Sequence, residues 1–182
     1  MAEARPASGA ILICGMIAAS EHLFARAAEA LGEQLGPVRR VSDVMPFDLT
    51  DYYRQQMGQP LWRQFLAFAP PAERSSLAEV KLATNELEAR FAAECPAGPP
   101  RPINLDPGYL TEAKLVLASC KDFAHRMYLR DGVYAEVTLL WQAGRWASLP
   151  WTFPDYASGR YDAFLTAARE DLRRHLQENA NP

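Results

Sequence analysis

The chain has 182 residues, of which 49% are hydrophobic and 23% are charged, and these values predict a soluble protein with a substantial core. A net charge of -3 and scattered basic residues argue against nucleic acid as the main partner, and the absence of an apolar run of about 20 residues argues against a membrane span. Three separated cysteines without CxxC spacing argue against a zinc ribbon or a thioredoxin-type motif and indicate a reducing, cytoplasmic location.

The first half of the chain alternates between strand-like and helix-like segments. Residues 1–8 are predicted to form a flexible tail that precedes a single domain over residues 9–178. Residues 11–18 form an apolar run typical of a buried strand, and a helix is expected from Ser20 to the Gly36-Pro37 pair that ends it. There follow an extended segment at 38–47, a loop or short helix at 48–60, a strand at 61–69, and a long helix with capping-box spacing at Ser76 and Glu79.

The order of these elements predicts an α+β fold. In the long helix, apolar positions recur every three or four residues and indicate one buried face, formed by Leu77, Val80, Thr84, Leu87 and Phe91. A strand at 103–105 would complete the order βαββαβ of the ferredoxin-like arrangement, in which two helices pack on one face of a mostly antiparallel sheet. A segment at 110–119, a C-terminal hairpin and a final helix capped by Ser158 complete the prediction.

The hairpin is predicted from an Asp-Gly pair between two strand-like runs, 123–129 and 133–141. A two-residue turn would mix polar and apolar side chains on both faces. A three-residue loop, 130–132, pairs Leu129 with Val133 and places Arg126 opposite Glu136, so that polar and apolar residues separate cleanly. We therefore expect the three-residue loop, with His125 on the apolar face.

The polar face of this hairpin is the predicted functional surface. It carries Arg126, Tyr128, Tyr134 and Glu136, and we expect it to be bordered by Asp106, Lys114 and Lys121. A guanidinium grips an anion through its planar fork, and Glu136 would orient that guanidinium or act as a base. This predicts binding of a small anionic ligand such as a phosphate-bearing metabolite. The alternative is a solvated sheet face with an ordinary ion pair.

Other motifs give weaker predictions. The carboxylates Asp43, Asp48, Asp51, Asp106 and Asp155 have no spacing that indicates a metal, and no metal site is predicted. The segment 150–156 is rich in aromatic residues and proline. It is either a loop anchored by Trp151 or a patch through which the protein docks a partner or forms a homo-oligomer.

Several motifs together resemble a known family. They are PFDLTDYY, KLATNELE, INLDPGYLT, KLVLAS, KDFAHRMYLRDGVYAEVTL and LPWTFPDY, and they are similar to those of the domain-of-unknown-function family 4416. The resemblance implies no activity, cofactor or catalytic residue. The family's motifs fall on Asp48, Asp51, Tyr52, Asn104, Asp106, Lys114, Lys121, His125, Arg126, Tyr134, Glu136 and Asp155, which agrees with the polar hairpin face.

Overall fold

A computed structural model describes residue 3 and residues 7–180, and one antiparallel sheet organises them. Most of the predicted flexible tail, residues 1, 2 and 4–6, lies outside the described residues. The strands are β1 (Ile11–Ala18), β2 (Val38–Val41), β3 (Met45–Pro46), β4 (Trp62–Phe68), β5 (Ile103–Leu110), β6 (Lys114–Ser119), β7 (Met127–Arg130), β8 (Val133–Gln142) and β9 (Arg145–Ser148). The helices are α1 (Glu21–Leu35), α2 (Arg54–Met57), α3 (Leu77–Glu94), α4 (Pro154–Ala157) and α5 (Asp162–Ala180).

The strand order in the sheet is β2-β4-β1-β5-β6-β8-β7, with β3 beside β4 and β9 beside β8. All described strand pairs are antiparallel, which confirms the α+β prediction. The first part of the chain also follows the predicted order of a strand, a helix, two strands, a helix and a strand, with β3 and α2 as short additions. The edges of the sheet are thus β2 at one end and β7 at the other.

Helices cover both faces of the sheet. Alternate residues of β1, including Leu12 and Cys14, pack with α1 and α3, whereas Ile11 and Ile13 pack with α5 on the opposite face. This explains why all eight residues of β1 are buried and why the segment reads as a continuous apolar run. Each fully buried side chain of this kind contributes about 1.5–3 kcal/mol through removal of apolar surface from water. The predicted stripe on α3 is buried over its whole length.

Three local predictions are wrong. The last helix, α5, begins at Asp162, so Ser158 is not its N-cap and instead follows α4 as its C-cap. The strand expected at 103–105 continues to Leu110 and includes Pro107. The missing N–H of this proline costs little, because the hydrogen-bonded ladder between β5 and β6 starts only at Gly108. The capping box does not form either. Ser76 has helical dihedral angles and its Oγ donates a hydrogen bond to the carbonyl oxygen of Glu73 at 2.8 Å, while Glu79 contacts Arg130.

Within the described residues, no helix combines the length and the apolar character that a membrane crossing requires.

Candidate functional site

The hairpin that carries the predicted site closes with a two-residue turn, so the prediction of a three-residue loop is wrong. Asp131 and Gly132 have φ angles of 52° and 74°, and Arg130 pairs with Val133. These left-handed values are typical of an Asp-Gly turn whose twist matches the flanking strands. Leu129 is then an extra, bulged residue, and beyond it the register becomes the one predicted, with Tyr128 opposite Tyr134.

A second bulge, at Thr138 of β8, decides which side chains face which helix. Val133 and Ala135, before the bulge, pack against α3, whereas Leu139, after it, packs in the core under α5. Strand alternation alone would put these three residues on one face, and the bulge moves Leu139 to the other. Glu136 lies before the bulge and alternates with its neighbours, so its side chain lies on the α5 side of the sheet.

The loop after β9 fills a gap along the edge of β8. β7 pairs with β8 only as far as Ala135, and β9 pairs only from Leu139 onward. In the gap, Trp151 Nε1 donates to the carbonyl oxygen of Val137 at 2.8 Å, and Thr152 Oγ1 donates to that of Thr138 at 2.6 Å. The Trp/Pro-rich segment is thus anchored in its own fold, although Trp151 remains 38% exposed.

Glu136 is the centre of a polar cluster, which we call the Glu136 cluster and which comprises Ser119, Lys121, His125, Arg126 and Glu136. Glu136 is 1% exposed, and its Oε2 accepts a hydrogen bond from Arg126 Nε at 2.7 Å. Arg126 Nη1 donates to Ser119 Oγ at 2.7 Å and to the carbonyl oxygen of Lys121 at 2.9 Å. Arg126 and Glu136 therefore emerge on the same side of the hairpin, as predicted.

His125 belongs to this cluster and does not lie on an apolar face, so that prediction is wrong. Residues 123–126 precede β7 and form a turn in which Arg126 N–H donates to the Phe123 carbonyl oxygen at 2.9 Å, so strand alternation does not apply to them. His125 Nε2 lies 3.0 Å from Glu136 Oε2. Its ring stacks between Phe123 and Trp151, with centroid distances of 6.0 and 5.3 Å.

Two solvent-facing nitrogens complete the geometry of the cluster. Within the described residues, neither Arg126 Nη2 nor His125 Nδ1 has a hydrogen-bond partner. Neither of these two atoms is buried, so both are accessible to solvent. Since Nε2 of His125 faces a carboxylate, it carries the ring proton, and Nδ1 in the neutral ring is an acceptor. The cluster thus presents to solvent a fixed N–H donor from Arg126 and an imidazole nitrogen from His125, two side chains that bind the same oxygen of Glu136.

Lys121 of the cluster and two neighbouring residues, Tyr128 and Tyr134, were also predicted site residues. Lys121 contributes its backbone to the cluster, and its ammonium contacts the hydroxyl of Tyr52, which lowers the pKa of that phenol. Tyr128 and Tyr134 pack edge to face with centroids 5.3 Å apart. Tyr128 is 61% exposed, so this aromatic pair forms part of the accessible surface beside the arginine.

The structure does not bring Lys114 and Asp106 into the cluster. Lys114 is the first residue of β6, whereas Ser119, which belongs to the cluster, is the last. Leu115 packs in the core under α5, so the side chain of Lys114, the residue before it, extends from the opposite face of the sheet. Asp106 is on the same face as Glu136, but its carboxylate pairs with Arg63. A role of either residue in ligand binding stays a prediction.

A buried ion network, the Arg63 cluster of Arg63, Asp106, Asp155, Tyr156 and Tyr161, was missed by the sequence reasoning. Arg63 is 3% exposed and donates from Nη1 to Asp106 at 3.2 Å and from Nη2 to Asp155 at 3.1 Å. Tyr161 donates to Asp155 at 3.0 Å. Burial opposes the charge on Arg63, but the neighbouring Tyr156, Asp155 and Asp106 outweigh it and raise the pKa of the guanidinium.

The Arg63 cluster is tightly packed. A Cβ atom on Gly15 would lie 2.5 Å from Arg63 Nη1 and 2.8 Å from a ring carbon of Phe65, so a side chain at that position of β1 would displace its neighbours. Burial raises the pKa of Tyr156, whose hydroxyl has no hydrogen-bond partner among the described residues. The only signal in the sequence was the alternation of Arg63 with Phe65 in a strand, which places a cation on a buried face. This network closes one end of the α5 side of the sheet and holds α4 and α5 against it.

Comparisons with known proteins agree with the motifs. A family model described as "Domain of unknown function (DUF4416)" matches residues 8–172. No curated protein and no solved structure matches the chain.

Proposed function

The chain belongs to the DUF4416 family, and we propose that it binds a small anionic ligand, such as a phosphate-bearing metabolite, at the Glu136 cluster. One observation carries the proposal. A buried carboxylate, a serine hydroxyl and a backbone carbonyl fix the guanidinium of Arg126, while its Nη2 reaches solvent. A guanidinium held in this way presents an N–H group in a set direction.

Fixing the arginine in advance favours binding. A free arginine side chain loses rotamer entropy when it grips a ligand, whereas Arg126 is already ordered by its three hydrogen bonds. Its side chain is only 5% exposed, so the medium around it screens charge less than bulk water does. The positive charge of Arg126 offsets the negative charge of Glu136, and the ammonium of Lys121, which contacts Tyr52, adds a positive charge beside the cluster.

Residues next to Arg126 could contact the parts of a ligand that the guanidinium does not bind. His125 binds the same carboxylate oxygen as Arg126, and its Nδ1 is available to accept a hydrogen bond from a ligand. Tyr128 and Tyr134 offer aromatic surface on the adjacent strands. The proposal concerns binding, and no reaction or cofactor is assigned.

The proposal is tested by thermal shift with inorganic phosphate and pyrophosphate. Wild-type protein should be stabilised, and Arg126→Lys should bind the anions about tenfold or more weakly, because a lost hydrogen bond to a charged group is worth about 1.5–3 kcal/mol. Lys121→Ala should also weaken binding without touching Glu136. Arg130→Lys is the matched control, because Arg130 is an exposed arginine of the same hairpin that pairs with Glu79. Equal responses in Arg126→Lys and Arg130→Lys would disprove the proposal.

A second candidate is a non-catalytic interaction module that self-associates or docks a partner. The favouring observation is the exposure of apolar side chains: Phe153 in the Trp/Pro-rich loop is 43% exposed, and Met127 on the edge strand β7 is 61% exposed. Sedimentation velocity of the wild type and of Phe153→Ser and Met127→Lys tests it. An oligomer that dissociates in either variant supports this function, and a monomeric wild type at all concentrations rules out self-association.

Three broader proposals accompany these. Residues 9–178 form a single domain, because the described elements share one sheet. Its first part is ferredoxin-like, which the antiparallel strand order β2-β4-β1-β5 and the packing of α1 and α3 on one face support. A cytoplasmic location is supported by three free cysteines, Cys14, Cys95 and Cys120.

A further inference from the structure

A separate cleft lies at the other end of the sheet, between the edge strand β2 and helix α5. Its volume is about 350 Å³, within the range of small-molecule sites. Its walls carry the arginines Arg39, Arg40 and Arg160 together with the apolar side chains of Met45 and Phe164. The Glu136 cluster is near the opposite edge strand, so the two places are independent.

Ion pairs fix the basic side of this cleft. Arg40 grips Asp171 through Nε and Nη2, and Asp171 also accepts a hydrogen bond from Arg174. Arg39 is 4.0 Å from the same carboxylate, so three arginines share one aspartate. The single negative charge of Asp171 balances only one of these three positive charges. The side chain of Arg39 is 59% exposed.

Arg160 forms the facing wall. Its Nη1 donates to Asp48 Oδ1 at 2.5 Å and to the carbonyl oxygen of Pro46 at 3.2 Å, which holds the guanidinium in place. Asp43 is the acidic residue of the walls, against three arginines. With the ion-pair partners included, Arg39, Arg40, Arg160 and Arg174 stand against the three carboxylates of Asp43, Asp48 and Asp171, which leaves an excess of one positive charge at the cleft.

We infer that this cleft binds a small molecule that joins a phosphate or similar anionic group to an apolar, preferably aromatic, part. The anionic group meets Arg39, which shares Asp171 with two other arginines, and Arg160, which binds Asp48 and the Pro46 carbonyl oxygen through Nη1 and has further N–H groups for a ligand. The apolar part packs on Phe164 and Met45, which removes apolar surface of both from water. Inorganic phosphate, which lacks an apolar part, should bind more weakly than an aryl phosphate.

The test is calorimetric titration of the wild-type protein with phenyl phosphate and with inorganic phosphate. Phenyl phosphate should bind several-fold more tightly. Arg39→Ala and Arg160→Ala should each weaken its binding about tenfold, the factor expected for a lost charged hydrogen bond. Arg145→Ala is the matched control, since Arg145 is an exposed arginine on β9 outside the cleft.

A fourth variant tests the volume of the cleft without changing its charge. Ala163 is an exposed wall residue on α5, and Ala163→Leu should narrow the cleft and weaken phenyl phosphate binding while helix content stays constant. No binding of phenyl phosphate by the wild type overturns the inference. So do equal losses in Arg39→Ala and Arg145→Ala, and so does unchanged affinity in Ala163→Leu. None of these variants touches Arg126, so the result is independent of the function proposed above.

Discussion

The Arg126–Glu136 pair gives the sharpest test of how the candidate site is held together. Both side chains are buried, at 5% and 1% exposure, with Nε and Oε2 2.7 Å apart. Arg126→Met leaves a buried carboxylate without its cation, and Glu136→Leu leaves a buried guanidinium without its anion. Each change should lower the free energy of unfolding by about 3–5 kcal/mol. The double variant should lower it by only about 1–2 kcal/mol, because neither charge is then left unpaired and the remaining cost comes from the lost bonds to neutral groups.

Urea denaturation followed by tryptophan fluorescence measures all four proteins. The coupling energy should therefore be at least about 4 kcal/mol, since the sum of the single effects greatly exceeds the double effect. Arg130 and Glu79 supply a control pair at 47% and 69% exposure, for which the same cycle should give a coupling of no more than about 1 kcal/mol. Additive effects of Arg126→Met and Glu136→Leu would refute the reasoning that a buried carboxylate holds the arginine.

Three further predictions concern the rest of the fold. Tyr156→Phe should leave the free energy of unfolding unchanged or slightly higher, because it removes a buried hydroxyl that has no hydrogen-bond partner among the described residues. Tyr161→Phe should lower the free energy of unfolding by about 1.5–3 kcal/mol, because it removes a hydrogen bond to the buried carboxylate of Asp155. Gly15→Ala should cost about 1–3 kcal/mol by overpacking, while Gly32→Ala, on an open part of α1, should add about 0.5–1 kcal/mol. The hydrogen bond from Arg40 lowers the pKa of Asp171 in the folded protein. The ionised carboxylate therefore stabilises the fold above its unfolded pKa, and this stabilisation is lost as the pH falls through the lower folded pKa. In Asp171→Asn, the loss of unfolding free energy below about pH 4 should therefore be smaller.

The sequence predicted the hairpin well where the interactions are local. An Asp-Gly pair requires a tight turn, and the polar alternation of Tyr128 with Tyr134 predicted their pairing. It could not predict the bulge at Leu129, because a two-residue turn with a bulge and a three-residue loop give the same pairs further along the strands. The bulge at Thr138 was equally hidden, since the carbonyl oxygen of Thr138 is bound by Thr152, in a loop that follows later in the chain.

Long-range pairing explains what the sequence did not predict. The partners of Arg63 come from β5 and α4, at sequence separations of 43 and 92 residues, and no local pattern connects them. His125 was placed by strand alternation, which fails because a turn precedes β7 and directs the imidazole toward Glu136. The proposed ligand surface thus keeps its predicted centre, while the groups around it come from tertiary structure.

Anion binding by Arg126 is tested by a crystal structure of the protein soaked in tungstate, an oxyanion with a strong anomalous signal. We expect an anomalous peak for a tungstate whose oxygens lie within hydrogen-bond distance of Arg126 Nη2, and loss of that peak in Arg126→Lys. A soaked crystal with tungstate bound elsewhere and none at Arg126, in a lattice that leaves this surface open, would contradict this expectation.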